Sequence, residues 1–226
     1  MTDLVDGLAG RLVVSCQAYP GEPMRDPRTM SQVAQACVAG GAAAIRVQGL
    51  DDIRATAAVV DVPVIGLVKE GDEGVYITPT LELARACADA GAHIVAIDGT
   101  SRHRPDGRTF AEVVAGLKES HPDVLVMADC GSVQDCVRAE ADGADIIGTT
   151  LGGYTADRNK TVGPDFEFAE EAINACSKPV VVEGRVHTLE HAAAVMRLGA
   201  HAVCVGTAIT HPTTITSWFA AAVRGV

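Results

Sequence analysis

"AGAHIVAID", residues 90–98, joins a glycine–alanine turn to an apolar run that ends on a carboxylate. The same phrase returns as "GGAAAIRVQ" (residues 40–48), "DGADIIGTT" (142–150) and "LGAHAVCVG" (198–206). The glycines before alanine are Gly41, Gly91, Gly143 and Gly199, so the spacings are 50, 52 and 56 residues. Recurrence at such a period marks a repeated supersecondary unit. Between these runs lie four others with a different entry: "GRLVVSCQ" (10–17), "VPVIGLVK" (62–69), "HPDVLVMAD" (121–129) and "KPVVVEG" (178–184). Three of the four carry a proline at or just before the strand start. Proline is tolerated there and glycine is a natural helix C-cap, so both kinds of punctuation mark helix-to-strand junctions.

The segments between these eight runs have helical periodicity. Thr78-Pro79 reads as N-cap and first helical residue ahead of "TLELARACADA", with Leu83 and Cys87 one turn apart; in "TLEHAAAVMRLG", Leu189, Ala192 and Met196 share a face. Eight β runs alternating with helices predict a single-domain (β/α)8 barrel over residues 1–226. A doubly wound open sheet has the same alternation. However, "VVSCQAYPGEP" after the first strand lacks the glycine-rich dinucleotide fingerprint, and the near-regular two-strand repeat suits rotational closure.

Composition narrows the function classes. The chain is 48% hydrophobic with only four Phe, three Tyr and one Trp, so its core must be Ala, Val, Ile and Leu, as in helices packed closely on a parallel sheet. A net charge of −11 argues against nucleic acid as a partner, while a local positive pocket for a small anion remains compatible with it. The seven cysteines are an odd number scattered through apolar runs without zinc-type spacing, which reads as reduced, buried thiols in a cytoplasmic protein; Cys16 and Cys130 belong to this set. "MTDLVDGLAG" has no signal-peptide character and no apolar run approaches membrane-spanning length, so no membrane partner is expected. His187, His191, His201 and His211 show no metal-ligand pattern, and neither a metal nor another cofactor is expected.

In a barrel, the C-terminal strand ends form one mouth. Here those ends read Gln17, Arg46 with Gln48, Lys69, Asp98, Asp129, Thr149 with Thr150, and Glu183. Strands 3 and 7 stand opposite each other in a ring of eight, so Lys69 and Glu183 are expected to face across the mouth. Such a pair serves general acid–base chemistry if burial lowers the lysine and raises the glutamate. The same residues also suit an internal ion-pair network with Asp98 and Arg46. The loops after strands 7 and 8, "EGRVHT" and "VGTAIT", occupy the corner where barrels often bind phosphate, which makes Gly184, Arg185, Gly206 and Thr207 phosphate candidates. The basic loop "TSRHRPDG", with Arg102, His103 and Arg104, either clamps an anion or is simply solvated.

Several motifs in order, "SCQA", "GGAAAIRVQG", "IGLVK", "YITPT", "RPDG", "MAD", "TTLGGYT", "EGR" and "GTAIT", resemble N-acylmannosamine-6-phosphate 2-epimerases from about Leu12 to Phe219. The resemblance implies a TIM-barrel isomerase of sialic-acid and amino-sugar breakdown, acting on a phosphorylated amino sugar. The family's catalytic lysine and glutamate then fall on Lys69 and Glu183, and its substrate-contacting glutamine, arginine and aspartate on Gln17, Arg46 and Asp129. Three positions depart from the family pattern: Gly99 for alanine, Gly152 for serine and Thr207 for glycine. Only Thr207 lies in a binding loop. The chemistry implied is ring opening with Glu183 handling the proton, then removal and return of the C2 proton by neutral Lys69. Schiff-base aldolases, which also place a lysine at a barrel strand end, and non-catalytic phosphosugar-binding barrels are the competing readings. A homodimer is the expected assembly.

Overall fold

All eight apolar runs form strands: β1 (Arg11–Cys16), β2 (Ala44–Gln48), β3 (Val64–Leu67), β4 (Ile94–Asp98), β5 (Leu125–Asp129), β6 (Ile146–Gly148), β7 (Val180–Glu183) and β8 (Ala202–Val205). The computed structural model describes residues 2–71 and 73–225. Every neighbouring pair is parallel, and β1 pairs with both β2 and β8, which closes the sheet into a barrel. The intervening helices are α1 (Thr2–Asp6), α2 (Pro27–Ala39), α3 (Leu50–Ala57), α4 (Leu81–Asp89), α5 (Phe110–Ser120), α6 (Val133–Ala141), α7 (Phe166–Ala175), α8 (Leu189–Arg197), α9 (Thr207–Thr210) and α10 (Pro212–Arg224). Asp26, Thr80, Thr109, Ser132, Asp165 and Thr188 each accept a hydrogen bond from the N–H three residues on, so the N-termini of α2 and α4–α8 are capped by short polar side chains.

Closure divides the apolar residues into two cores. Val14, Ile45, Val47, Val64, Val95, Ile97, Val126, Ala128, Val180 and Val182 point outward and pack on the helices. Val13, Ala44, Ile65, Leu67, Ile94, Ala96, Leu125, Met127, Val181 and Cys204 fill the interior, with Leu8 at its base. Because side chains alternate across a strand, extending the inward set to the strand ends sends Gln17, Arg46, Gln48, Lys69, Asp129 and Glu183 to the same interior. The barrel is therefore apolar below and polar at the mouth.

Two local readings need correction. Helix α4 starts later than Thr78-Pro79 suggests, with Thr80 as its N-cap. Thr78 is instead fully buried at φ +44°, donating to the Ala96 carbonyl at 2.6 Å and accepting from Val68 N–H at 3.2 Å. Its hydroxyl ties the chain after β3 to β4 and is not available as a cap. In α8, Ala192 and Met196 pack on the core as expected, whereas Leu189 is 85% exposed and Val195 is buried in its place. Leu189 is the first helical residue and projects beyond the barrel wall.

Candidate active site

The segment following β3 doubles back. Thr78 N–H bonds to the Val68 carbonyl, Glu70 N–H bonds to the Tyr76 carbonyl at 3.0 Å, and Lys69 makes a single antiparallel bridge with Ile77. This small hairpin holds the backbone of Lys69 just above the strand, so the ammonium group enters the mouth from a braced position. Its Nζ donates to Gln17 Oε1 at 2.9 Å, and Gln17 Nε2 in turn donates to Ser15 Oγ at 2.8 Å. Both ends of the Gln17 amide are thus used within the protein, one of them to orient Lys69.

Opposite stands a buried ionic cluster. Arg46, 1% exposed, makes a two-pronged pair with Asp129 (Nη2 to Oδ2 2.6 Å, Nη1 to Oδ1 3.1 Å), and its Nε lies 3.4 Å from Glu183 Oε2. Thr150 Oγ1 donates to Asp129 Oδ1 at 2.6 Å and approaches Glu183 Oε2 at 3.4 Å. The described ion pairs within 4 Å do not include Lys69, and Asp98 is absent from the cluster because Thr100 and Arg102 engage it. The network expected around Arg46 therefore forms through Asp129 and Glu183, and it leaves the lysine out.

The electrostatics follow from burial. Desolvation, reinforced by the nearby Arg46 cation, holds Lys69 below the ordinary lysine range even though Glu183 and Asp129 pull the other way. Desolvation and the Asp129 charge push Glu183 up against the opposing pull of Arg46. For Arg46, burial works against the charge, but the two carboxylates outweigh it and keep the guanidinium firmly protonated. A lysine shifted toward the free amine and a carboxyl shifted toward the acid thus share one chamber, which is the direction that suits proton transfer between them and a bound molecule.

The chamber is a cavity of about 570 Å³, within the range of small-molecule sites. Gln17, Arg46, Gln48, Lys69 and Glu183 line it, as do Gly184, Arg185, Gly206 and Thr207 at the corner formed by the loops after β7 and β8. Asp129 lies beneath the wall, fully buried behind Arg46. Arg185, at φ +56°, donates to the carbonyls of Gly152 and Gly163 and to Thr161 Oγ1, so it pins the loop after β6 while lining the corner. Arg102 and Arg104 of the basic loop turn to the Asp98 carboxylate and carbonyl respectively. They buttress β4 and do not reach the chamber.

The sequence reading missed the tyrosines. Tyr19, Tyr76 and Tyr154, all the tyrosines in the chain, line the cavity from the loops after β1, β3 and β6. Lys69 Nζ sits 5.4 Å from the Tyr19 ring centroid, and Arg185 lies 5.6 Å from that of Tyr154. Their signal was present: in a chain so poor in aromatics, each tyrosine occurs in a loop on the mouth side.

No cluster of three or more potential metal-ligating side chains occurs among the described residues.

The family model described as "Putative N-acetylmannosamine-6-phosphate epimerase" matches residues 30–225. The chain is 57% identical over 223 residues to the "Putative N-acetylmannosamine-6-phosphate 2-epimerase" of Cutibacterium acnes, covering 98% of this chain and 97% of the relative. Its likeness to the protein of the same description from Corynebacterium glutamicum is 50% over 217 residues, with 94% and 93% covered. Among solved structures, the N-acetylmannosamine-6-phosphate 2-epimerase of Clostridium perfringens superposes with a TM-score of 0.92 at 36% identity, covering 96% of this chain and 95% of that one. By matched length, by identity and by the barrel itself, the chain belongs to the NanE family of N-acetylmannosamine-6-phosphate epimerases.

Proposed function

We propose that the protein interconverts N-acetyl-D-mannosamine 6-phosphate and N-acetyl-D-glucosamine 6-phosphate. The observation that carries this reading is the geometry of one cavity that holds both Lys69, oriented by Gln17, and Glu183, 3.4 Å from Arg46; burial pushes the lysine down and the glutamate up. The C2 hydrogen becomes acidic only when C1 is a carbonyl, so the pyranose opens first. Glu183 moves the ring-opening proton, and Arg46, 3.4 Å from that carboxylate, stabilises negative charge as it develops on the sugar oxygen. Lys69, oriented by its hydrogen bond to Gln17, then removes the C2 proton as the free amine, leaving an enolate. The resulting ammonium returns the proton to the opposite face of C2 after the intermediate turns about its C2–C3 bond, and the ring recloses as Glu183 hands its proton back. Asp129 holds Arg46 in place, and Gly184, Arg185, Gly206 and Thr207, which line the cavity from the loops after β7 and β8, receive the phosphate. None of these steps calls for a metal or cofactor.

Proton NMR of N-acetylglucosamine 6-phosphate with the protein in deuterated water tests the proposal. Loss of the C2 proton signal together with growth of the manno epimer supports it. Unchanged spectra with folded protein overturn it. Reduction by borohydride in the presence of substrate separates the Schiff-base alternative, which alone traps a covalent lysine adduct.

The same reading extends to assembly and location. None of the residues of α10 is buried, and Trp218, Phe219 (69% exposed) and Val223 (75%) are exposed on it. An apolar face of this kind supports a homodimer; light scattering is expected to give twice the chain mass, and Phe219→Asp to shift it toward the monomer. All seven cysteines are free, five of them buried, which supports a reducing, cytoplasmic setting. No helix among the described residues is long and apolar enough to cross a membrane.

A further inference from the structure

We propose that Tyr19 is a positioning residue for Lys69, its ring face stabilising the ammonium that forms when the lysine takes the C2 proton. The inference rests on the epimerase reading above and adds to it the group that sets the strength of its base. Lys69 Nζ has two neutral neighbours from the loop after β1: the Gln17 amide oxygen at 2.9 Å and, two residues on, the Tyr19 ring with its centroid at 5.4 Å. A cation within about 6 Å of an aromatic centroid is attracted by the ring. Tyr19 is 47% exposed, yet it is held in place. Its N–H donates to Glu22 Oε2 at 2.7 Å and its carbonyl accepts from Glu22 N–H at 3.1 Å, closing a turn that includes Gly21 at φ +86°. Glu22 Oε1 lies 2.6 Å from His211 Nε2, and the His211 and Tyr19 rings meet edge-on with centroids 5.4 Å apart. His211 is itself fixed as the N-cap of α10, its Nδ1 accepting from Thr214 N–H at 3.3 Å. A half-exposed tyrosine is thus anchored through its backbone and its ring, and it presents a face to the lysine.

The chemistry of the step accounts for this choice of neighbours. Lys69 begins as the free amine, becomes an ammonium and gives the same proton back. A carboxylate in direct contact would stabilise the ammonium but would also offer the proton another destination. A ring face and an amide oxygen stabilise it without taking the proton. The charged groups around Lys69 fit this division: Glu183 and Asp129 attract it without pairing with it among the described ion pairs, and Arg46 and Arg25 repel it. Burial first, then Tyr154, Glu22 and Glu183, push the Tyr19 phenol up, so its hydroxyl does not compete for the proton either.

The chain has four lysines, Lys69, Lys118, Lys160 and Lys178, so carbon NMR of protein labelled at the lysine ε-carbons follows each titration, and Lys69→Met identifies the signal of interest. Tyr19→Leu keeps an apolar cover and removes the π face, whereas Tyr19→Phe keeps the face and removes only the hydroxyl. In Tyr19→Leu the ammonium loses its stabiliser, so the Lys69 titration is expected about 0.4–1.5 pH units below that of the wild type, the worth of one cation–π contact. The rise of kcat/KM with pH is expected to move down by the same amount, and its plateau to fall about two- to tenfold because a weaker base takes the proton. Tyr19→Phe is expected to leave the titration in place and the plateau within about twofold. An unmoved Lys69 titration in Tyr19→Leu, a move to higher pH, an unchanged plateau, or an equal move in Tyr19→Phe each overturns the assignment. A titration that moves as expected in a protein whose wild type leaves the C2 hydrogen untouched keeps the hold of Tyr19 on Lys69 and breaks the functional reading. An unmoved titration in a protein that epimerises breaks this inference alone.

Discussion

Asp98 and Asp129 are register partners at the ends of adjacent strands, both end "apolar run plus aspartate" phrases, and both are fully buried. They nevertheless belong to different machines. Asp98 is claimed by its own downstream loop: Thr100 donates to it through N–H and hydroxyl at 2.9 and 2.6 Å, and Arg102 pairs with it at 2.6 Å. Asp129 is followed by Cys130, Gly131 and Ser132, which supply no such partner, and its charge is met by Arg46 from β2, far away in sequence. A strand-end carboxylate with a local arginine becomes a buttress. Without one it is left to the barrel interior, where it sets the charge of the chamber.

The strongest way to sharpen that contrast is to remove the group the chamber serves. Lys69→Met is expected to reduce kcat by about 10²–10⁴-fold, the usual worth of a positioned base, with the circular dichroism spectrum intact. Next come the aspartates themselves. Asp129→Asn leaves a buried arginine partly uncompensated and is expected to cost about 3–5 kcal/mol in denaturant unfolding together with most of the activity. Asp98→Asn loses charge-assisted bonds to a half-exposed Arg102, so about 1.5–3 kcal/mol is expected, with the rate per folded molecule largely kept. Equal losses of rate in the two variants would dissolve the distinction.

A pH profile probes the same contrast at smaller amplitude. If neutral Lys69 is the base, kcat/KM rises with pH as the ammonium deprotonates, and the rise completes below the ordinary lysine range because burial and Arg46 depress that titration. Asp129 opposes the depression, so a residually active Asp129→Asn protein is expected to show the rise at still lower pH. Asp98→Asn is expected to leave it in place.

The smallest effects belong to two glycines. A Cβ at Gly148 would come 2.6 Å from Met127 Cε and 3.2 Å from Asp129 Oδ1, whereas one at Gly99 would meet Ala128 Cβ at 3.0 Å and Cys130 Sγ at 3.1 Å. Gly148→Ala is therefore expected to destabilise by about 1–3 kcal/mol and to disturb turnover, and Gly99→Ala to cost less and leave turnover alone. Thermal melts with steady-state rates on both variants check the order.

Strand positions and the polar mouth were legible in the sequence because they obey local rules. Period-two alternation, proline at strand entries and glycine at helix exits each act within a few residues, and the 50–56-residue recurrence of Gly-Ala exposes the repeat. The start of α4 was not legible, since Thr78 and Thr80 are equally good caps by type and only the buried bonds to Val68 and Ala96 withdraw the first. The mouth-side loop positions of the tyrosines were legible, but not the direction of their rings, because loops carry no periodicity to say which way a ring points.

From sequence alone came the barrel, the strand-end residues that gather at one mouth, and the opposition of Lys69 to Glu183, all consequences of counting strands and following their alternation. Only tertiary structure decided who pairs with whom. It gave Asp129 to Arg46 and Asp98 to Arg102, tied Lys69 to Gln17, and set the ring of Tyr19 beside that lysine. The physical reason is that pairing and desolvation depend on distances of a few ångströms between residues remote in the chain, and closure of the sheet is what sets those distances.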